Sequence, residues 1–336
     1  MEVPTDAAPG PDPKSARSRR SVLTWMATAL ILLASVALIT KQLIGQIEIV
    51  REQVRTLRLA HLIWPLIATL MAIIVDTLCW HRAVAASSGR AHALHFSESF
   101  AILNASNLSK YLPGKLWAYG LQVHILRARG VPVAATLHAN LTNSAAAVTA
   151  VGWLMAFGAL WLPNRVVGIS SAAVLTLLLT GLHLYYGPLL EVLVAFVKGR
   201  FGWSLPIEPL PTRTYFTLVL YNLANMVLAG IAAAFVLAEL DGALAPAQFA
   251  AVTVITAVSW LVGYLAFFVP AGLGVRESAM LAMLGQVGIA GSVVLVPLVT
   301  RVLLVVGEAL FGGVGILLLW GSSSPRRRGA QTGNGQ

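Results

Sequence analysis

Charge is what this sequence has least of. Only 11% of its 336 residues are Asp, Glu, Lys or Arg, where soluble domains carry about a quarter. At 57% hydrophobic and a mean hydropathy of +0.79, the chain cannot clothe a soluble globule, so that class is excluded. Cysteine is almost absent. Cys79 stands alone, which rules out an intramolecular disulfide framework and a cysteine-based zinc site. Catalytic signatures are missing too. There is no His-Glu-x-x-His helix, P-loop, Gly-x-Ser-x-Gly elbow or Asp-x-Asp pair. The seven histidines are scattered without ligand spacing. Nothing calls for catalysis, a cofactor or a metal.

What is present is apolar sequence in long runs. A spanning helix needs about 20 such residues. That length is met at 22–44, 62–86, 133–162, 166–186, 215–238 and 293–320. The stretch 45–61 alternates apolar and charged residues at helical spacing and reads as an interfacial amphipathic helix. The stretch 189–197, after Pro188, reads as a kinked continuation or an interfacial helix. The predicted fold class is therefore an all-α polytopic membrane protein. It has about six full spanning helices and, as the interrupted runs below imply, two re-entrant helical hairpins.

Basic runs flank the apolar sequence at both ends. Lys14, Arg17, Arg19 and Arg20 precede the first run, and Arg326, Arg327 and Arg328 follow the last. The positive-inside rule places both termini in the cytoplasm. The division is a disordered tail at 1–21, a membrane domain at 22–320 and a basic tail at 321–336. Nucleic acid is not the expected partner, because basic runs beside membrane spans usually set topology and touch anionic lipid.

The centre of the sequence is NASNLSKYLPGKLWAY, residues 104–119. Pro113 and Gly114 should stop a helix and let it restart. Lys110 and Lys115 flank the break, and neither 96–112 nor 115–126 is convincing as a complete span. They are predicted to form a hairpin entering from the cytoplasm. A second break, Pro270-Ala-Gly-Leu-Gly274, separates 249–269 from 275–288. Reading these as a hairpin from the outer side returns the basic tail to the cytoplasm. Two interrupted segments at matching places suggest an inverted repeat, about 62–200 and 214–320. The alternative is two ordinary kinked helices.

A restarted helix presents free N–H groups and a positive dipole end, which suits phosphate. Lys115 lies at the first restart, and Gly272, Gly274 and Arg276 lie at the second. With Lys110, Tyr111, Gly114, Asn104 and Asn107, they make a candidate site for an anionic headgroup. Snorkelling of Lys115 and Arg276 to an interface is the plain alternative. Arg276 is expected to face a cavity, while Glu277 pairs with Arg301 or caps the half-helix. Arg301 and Glu308 lie two turns apart on one face, so each should meet another helix. Glu308 is read as a structural ion pair or a proton carrier. Asp76 is expected to pair with Lys110 or Lys115, or to respond to coupled protons. Three Asn-x-x-Asn pairs, Asn104/Asn107, Asn140/Asn143 and Asn222/Asn225, read as interhelical hydrogen bonding or as a polar lining. The glycine-rich run at 307–315 reads as close helix packing, with a homodimer face as the alternative.

At SKYLPGKLW and PAGLGVRE the chain resembles the flippase-like membrane region of the lysylphosphatidylglycerol synthase family, over roughly residues 62–320. The resemblance implies a bacterial inner-membrane protein that moves a lipid, or a lipid-linked headgroup, between leaflets. It transfers Lys110, Tyr111, Pro113, Gly114, Lys115, Pro270, Gly272, Gly274, Arg276 and Glu277 as motif positions. It does not transfer aminoacyl transfer, which in that family belongs to a separate soluble domain. The implied substrate is an anionic phospholipid or an isoprenoid-linked sugar, with a glycosyltransferase or synthase as candidate partner. Two other readings stay open: an integral-membrane transferase with Asp76 or Glu308 as base, and a scaffold for a cytoplasmic enzyme.

Overall fold

The computed structural model describes residues 51–323 apart from 52–53, 56, 90–93, 112–115, 162–164, 202–208, 267–268 and 287–293. The first span at 22–44, both tails, most of 45–61, and Pro113, Gly114 and Lys115 at the first break lie outside the described residues.

Every described element is helical. The α-helices are α1 (Ile63–Ser88), α2 (Phe96–Asn107), α3 (Leu116–Arg127), α4 (Val133–Ala159), α5 (Arg165–Leu184), α6 (Tyr186–Phe201), α7 (Thr212–Asp241), α8 (Pro246–Leu265), α9 (Val275–Gln286) and α10 (Leu295–Ser323). Six of these, α1, α4, α5, α7, α8 and α10, are long and apolar enough to cross a bilayer. The chain is an all-α polytopic membrane protein. By contrast α2, α3 and α9 have 12 residues each. At 1.5 Å per residue each is about 18 Å long, well short of a hydrocarbon core of roughly 30 Å.

Prolines mark where helices begin. Pro132 and Pro211 precede α4 and α7, and Pro246 opens α8. These are positions where a missing N–H costs nothing. The backbone N–H of His95 donates to the Glu98 carboxylate at 3.0 Å, capping α2. Pro297 falls in the first turn of α10, where its missing N–H breaks no intrahelical bond.

The bundle is built on α1, which packs along α7 and α4. Helix α10 lies against α2 and α1, and α8 against α7 and α9. Trp80, Ile102, Leu126, Tyr215 and Leu218 fill one core; Val236, Leu237, Val252, Met280 and Leu284 fill another. All three asparagine pairs contribute a residue that joins helices, Asn104 doing so between α2 and α1. Asn222 donates to Asn143 at 3.0 Å and to the Cys79 sulfur at 3.2 Å, tying α7 to α4 and α1. Asn140 accepts from Trp80 at 3.2 Å and donates to Gln122 at 2.9 Å. Gly307, Gly312 and Gly315 of α10 face inward. A side chain at Gly315 would sit 2.8 Å from the Ala101 carbonyl, and one at Gly312 would meet Leu108. That run is therefore a packing surface within this chain, on α2 and the turn after it. Apolar side chains of α5 such as Val166, Ile169, Leu177 and Leu178 are exposed, as a hydrocarbon-facing surface requires.

Two expectations change in detail. The apolar run 249–269 becomes α8, which starts earlier and is long enough to span. It therefore replaces, among the described spans, the run at 22–44. It also stops at Leu265. Pro270 has no N–H to give the carbonyl of Ala266, and its ring would collide with that carbonyl if the helix continued. The run 186–201 is a distinct helix, α6, directly after α5.

Candidate functional site

The two breaks meet. After Asn107 the chain tightens into a 3-10 turn, Leu108–Tyr111, and α3 resumes at Leu116. After Leu265 it passes through a second 3-10 turn, Pro270–Gly272, into α9. The two turns pack against each other. The second reverses the chain with three residues at positive φ: Ala271 at 49°, Gly272 at 65° and Gly274 at 81°. Gly272 has no substitute here. A Cβ would lie 2.8 Å from the carbonyl oxygen of Gly263. Gly263 in turn leaves room for Arg276, whose own Cβ would be 2.9 Å from a side chain there. So α9 folds back along α8, and Arg276 enters the junction.

Among the described residues, six charged side chains and the Tyr111 hydroxyl gather at this junction. Lys110 Nζ lies 2.5 Å from one Glu308 oxygen. The Tyr111 hydroxyl donates to the other at 2.6 Å. Arg301 Nη2 donates to the Ala271 carbonyl at 3.2 Å, and its guanidinium lies 5.8 Å from the centre of the Tyr111 ring. Arg301 Nε stands 3.6 Å from Glu277 Oε1. The other Glu277 oxygen accepts from Gly274 N at 2.7 Å, closing the start of α9. Glu277 thus does both jobs expected of it, and Arg301 and Glu308 each meet a different element.

Asp76, partly buried on α1, is close enough for its charge to act with those of Lys110 and Glu308. No described cation lies within the 4.0 Å of an ion pair to it, so the expected pairing with Lys110 is a neighbourhood rather than a contact. Arg276 is within electrostatic reach of Arg301, Glu277, Glu308 and Tyr111. It makes no described ion pair, unlike Lys110 and Arg301. It lines a small cavity with Glu277, Met280, Pro297, Thr300 and Arg301. On that cavity Glu277 Oε1 and Arg301 Nε are buried and lack a hydrogen bond, since 3.6 Å is too long for one.

The site is therefore not simply basic. Among the described residues Lys110, Arg276 and Arg301 face Asp76, Glu277 and Glu308. Exposure differs sharply across it: the Lys110 side chain is 30% exposed and that of Glu308 7%. Asn104 is turned to structure. It is buried and donates to Thr77 at 3.1 Å and to the Phe100 carbonyl at 2.9 Å, binding α2 to α1. Asn107 is partly exposed near the same turn. Gly114 and Lys115 lie outside the described residues. Thr300, Met280 and a hydroxyl group of Tyr119, Ser144 and Tyr264 near Asp76 carried no sequence signal, being ordinary residues on apolar helices. Among the described residues no three of His, Cys, Asp and Glu are grouped as a metal would need. Compared with known proteins, the chain matches no protein-family model and no curated protein.

Proposed function

We propose that this protein moves a phosphate-bearing lipid between the leaflets of a bacterial inner membrane, with the headgroup passing the junction of the two interrupted hairpins. The observation that carries this reading is that both breaks pack together and bring their charges into one cluster. Charges at membrane depth are costly and usually mark a route for a polar substrate. Arg276, without a described carboxylate partner and lining the small cavity at the junction, is the group that would grip phosphate, in the two-pronged manner a guanidinium allows. The N-terminus of α9, capped by Glu277, adds a positive dipole end. The resemblance to the flippase-like region of the lysylphosphatidylglycerol synthase family points to the same class of substrate. The loops bearing Arg127, Arg129 and Arg213 would face the cytoplasm by the positive-inside rule.

The test is lipid translocation in vesicles reconstituted with the purified full chain. One arm uses fluorescent phosphatidylglycerol and the other a polyprenyl-phosphate sugar; which is moved names the source of the phosphate. Wild-type protein is expected to move one of them. Arg276→Ala should lower the rate at least about tenfold, the loss of one charge-assisted contact. Arg276→Lys should retain part of it, because an ammonium binds phosphate as a point charge without the fork. An undiminished rate in Arg276→Ala would remove the junction from the route. Appearance of a covalently altered lipid with no partner present would favour a transferase instead.

A further inference from the structure

Building on the lipid reading, we propose that the junction takes up one proton, on the Glu308 carboxylate, for each lipid phosphate it admits, so that lipid movement is coupled to proton movement. The observation behind this is charge balance. Among the described residues the cluster already holds as many carboxylates as cations. A phosphodiester adds one negative charge to a site in which Glu308, Glu277 and Arg301 are nearly buried. An uncompensated charge there costs several kcal/mol after relaxation. A proton supplied from water restores the balance.

The geometry selects Glu308 as the acceptor. At rest it is held as a carboxylate by two donors, Lys110 at 2.5 Å and Tyr111 at 2.6 Å. Lys110 is the most exposed charge measured in the cluster, at 30%, and so the one an incoming phosphate can draw away. Glu308 is then left with Tyr111 alone, facing the new anion and the charge of Asp76. Glu277 is not in that position, because its hydrogen bond from Gly274 N is backbone and stays. The groups facing Glu308 are Lys110 and Tyr111 from the 3-10 turn, Asp76 from α1 and Arg276 from α9. Arg301 lies two turns away on its own helix. On α2, Glu98 pairs instead with Arg129 at 3.8 Å. On α7, Glu239 in the last turn meets His61 at 2.6 Å. The step balances: Glu308 carboxylate plus a proton gives the neutral acid as the phosphate enters. The acid returns the proton when the phosphate leaves and Lys110 comes back.

The test titrates full-length protein in detergent with short-chain phosphatidylglycerol by calorimetry, in buffers of different ionisation enthalpy, across pH 6 to 8.5. Uptake of about one proton per bound lipid is expected, with affinity falling toward about tenfold per pH unit on the alkaline side. Glu308→Gln should bind without proton uptake and without that pH dependence, whereas Asp76→Asn should keep the uptake. Buffer-independent heat in the wild type overturns the coupling and leaves the lipid reading standing; it needs no variant to fold. The same uptake in Glu308→Gln also overturns it. No binding at any pH, either of phosphatidylglycerol or of a short-chain polyprenyl-phosphate sugar titrated in the same way, overturns both readings together.

Discussion

Arg276 and Gly272 are a few residues apart and do opposite things. Among the described residues of the junction, Arg276 is a cation that makes no ion pair. Gly272 does nothing but make the junction sterically possible, at φ 65° and with the Gly263 carbonyl 2.8 Å from where a Cβ would be. Gly272→Ala is therefore expected to lower the unfolding temperature in detergent, at a cost of about 1–3 kcal/mol for an unfavoured backbone conformation with a clash added. A variant as stable as wild type would mean the turn has slack. Both residues were legible in the sequence, because a Pro-Ala-Gly-Leu-Gly run followed by Arg is improbable inside a plain apolar helix. The Lys110–Glu308 pair was not legible. Its members are 198 positions apart, and helical spacing says only which face a charge is on. Nor was the use of Asn104 foreseeable, since a buried amide on an apolar helix serves a neighbour or a ligand equally well until the neighbour, Thr77, is placed.

At the level of elements, the junction depends on short helices held by long ones. Helices α2 and α9 cannot span, and each is fixed from outside: α2 by the inward glycines of α10 and by Asn104, α9 by α8 and by Arg301. Helix α10 touches both, so its two ionisable residues clamp the two hairpins, Glu308 the first and Arg301 the second. Breaking the part-buried Lys110–Glu308 pair leaves the nearly buried Glu308 carboxylate without its cation. Lys110→Glu and Glu308→Lys should each lower the unfolding temperature. The double exchange should recover most of it, measured by unfolding in detergent. A double variant no more stable than either single would show that the pair does not hold the first hairpin to α10. The two breaks were readable from interrupted apolar runs. The inequality between the arms of the second was not, because a run of moderate length reads equally well as a half-span or a tilted span. The structure gives α8 20 residues and α9 only 12.

Over the whole molecule, composition settled the class at once: a chain with 11% charged residues must bury its backbone polar groups in helices if it is to sit in lipid. The all-α polytopic fold follows. Which helices count as spans did not follow, since α8 qualifies where a hairpin arm was expected. Nor did the neutrality of the site, which emerges only when carboxylates from α1, α9 and α10 converge on cations that the sequence scatters. The central claim is that a lipid phosphate sits where the two breaks meet. It is tested most directly by an experimental structure of the protein in lipid nanodiscs containing phosphatidylglycerol. Phosphate density about 3 Å from the Arg276 guanidinium, the length of a charge-assisted hydrogen bond, is the expected result. Headgroup density confined to the two bilayer surfaces, with only water at the junction, would contradict it.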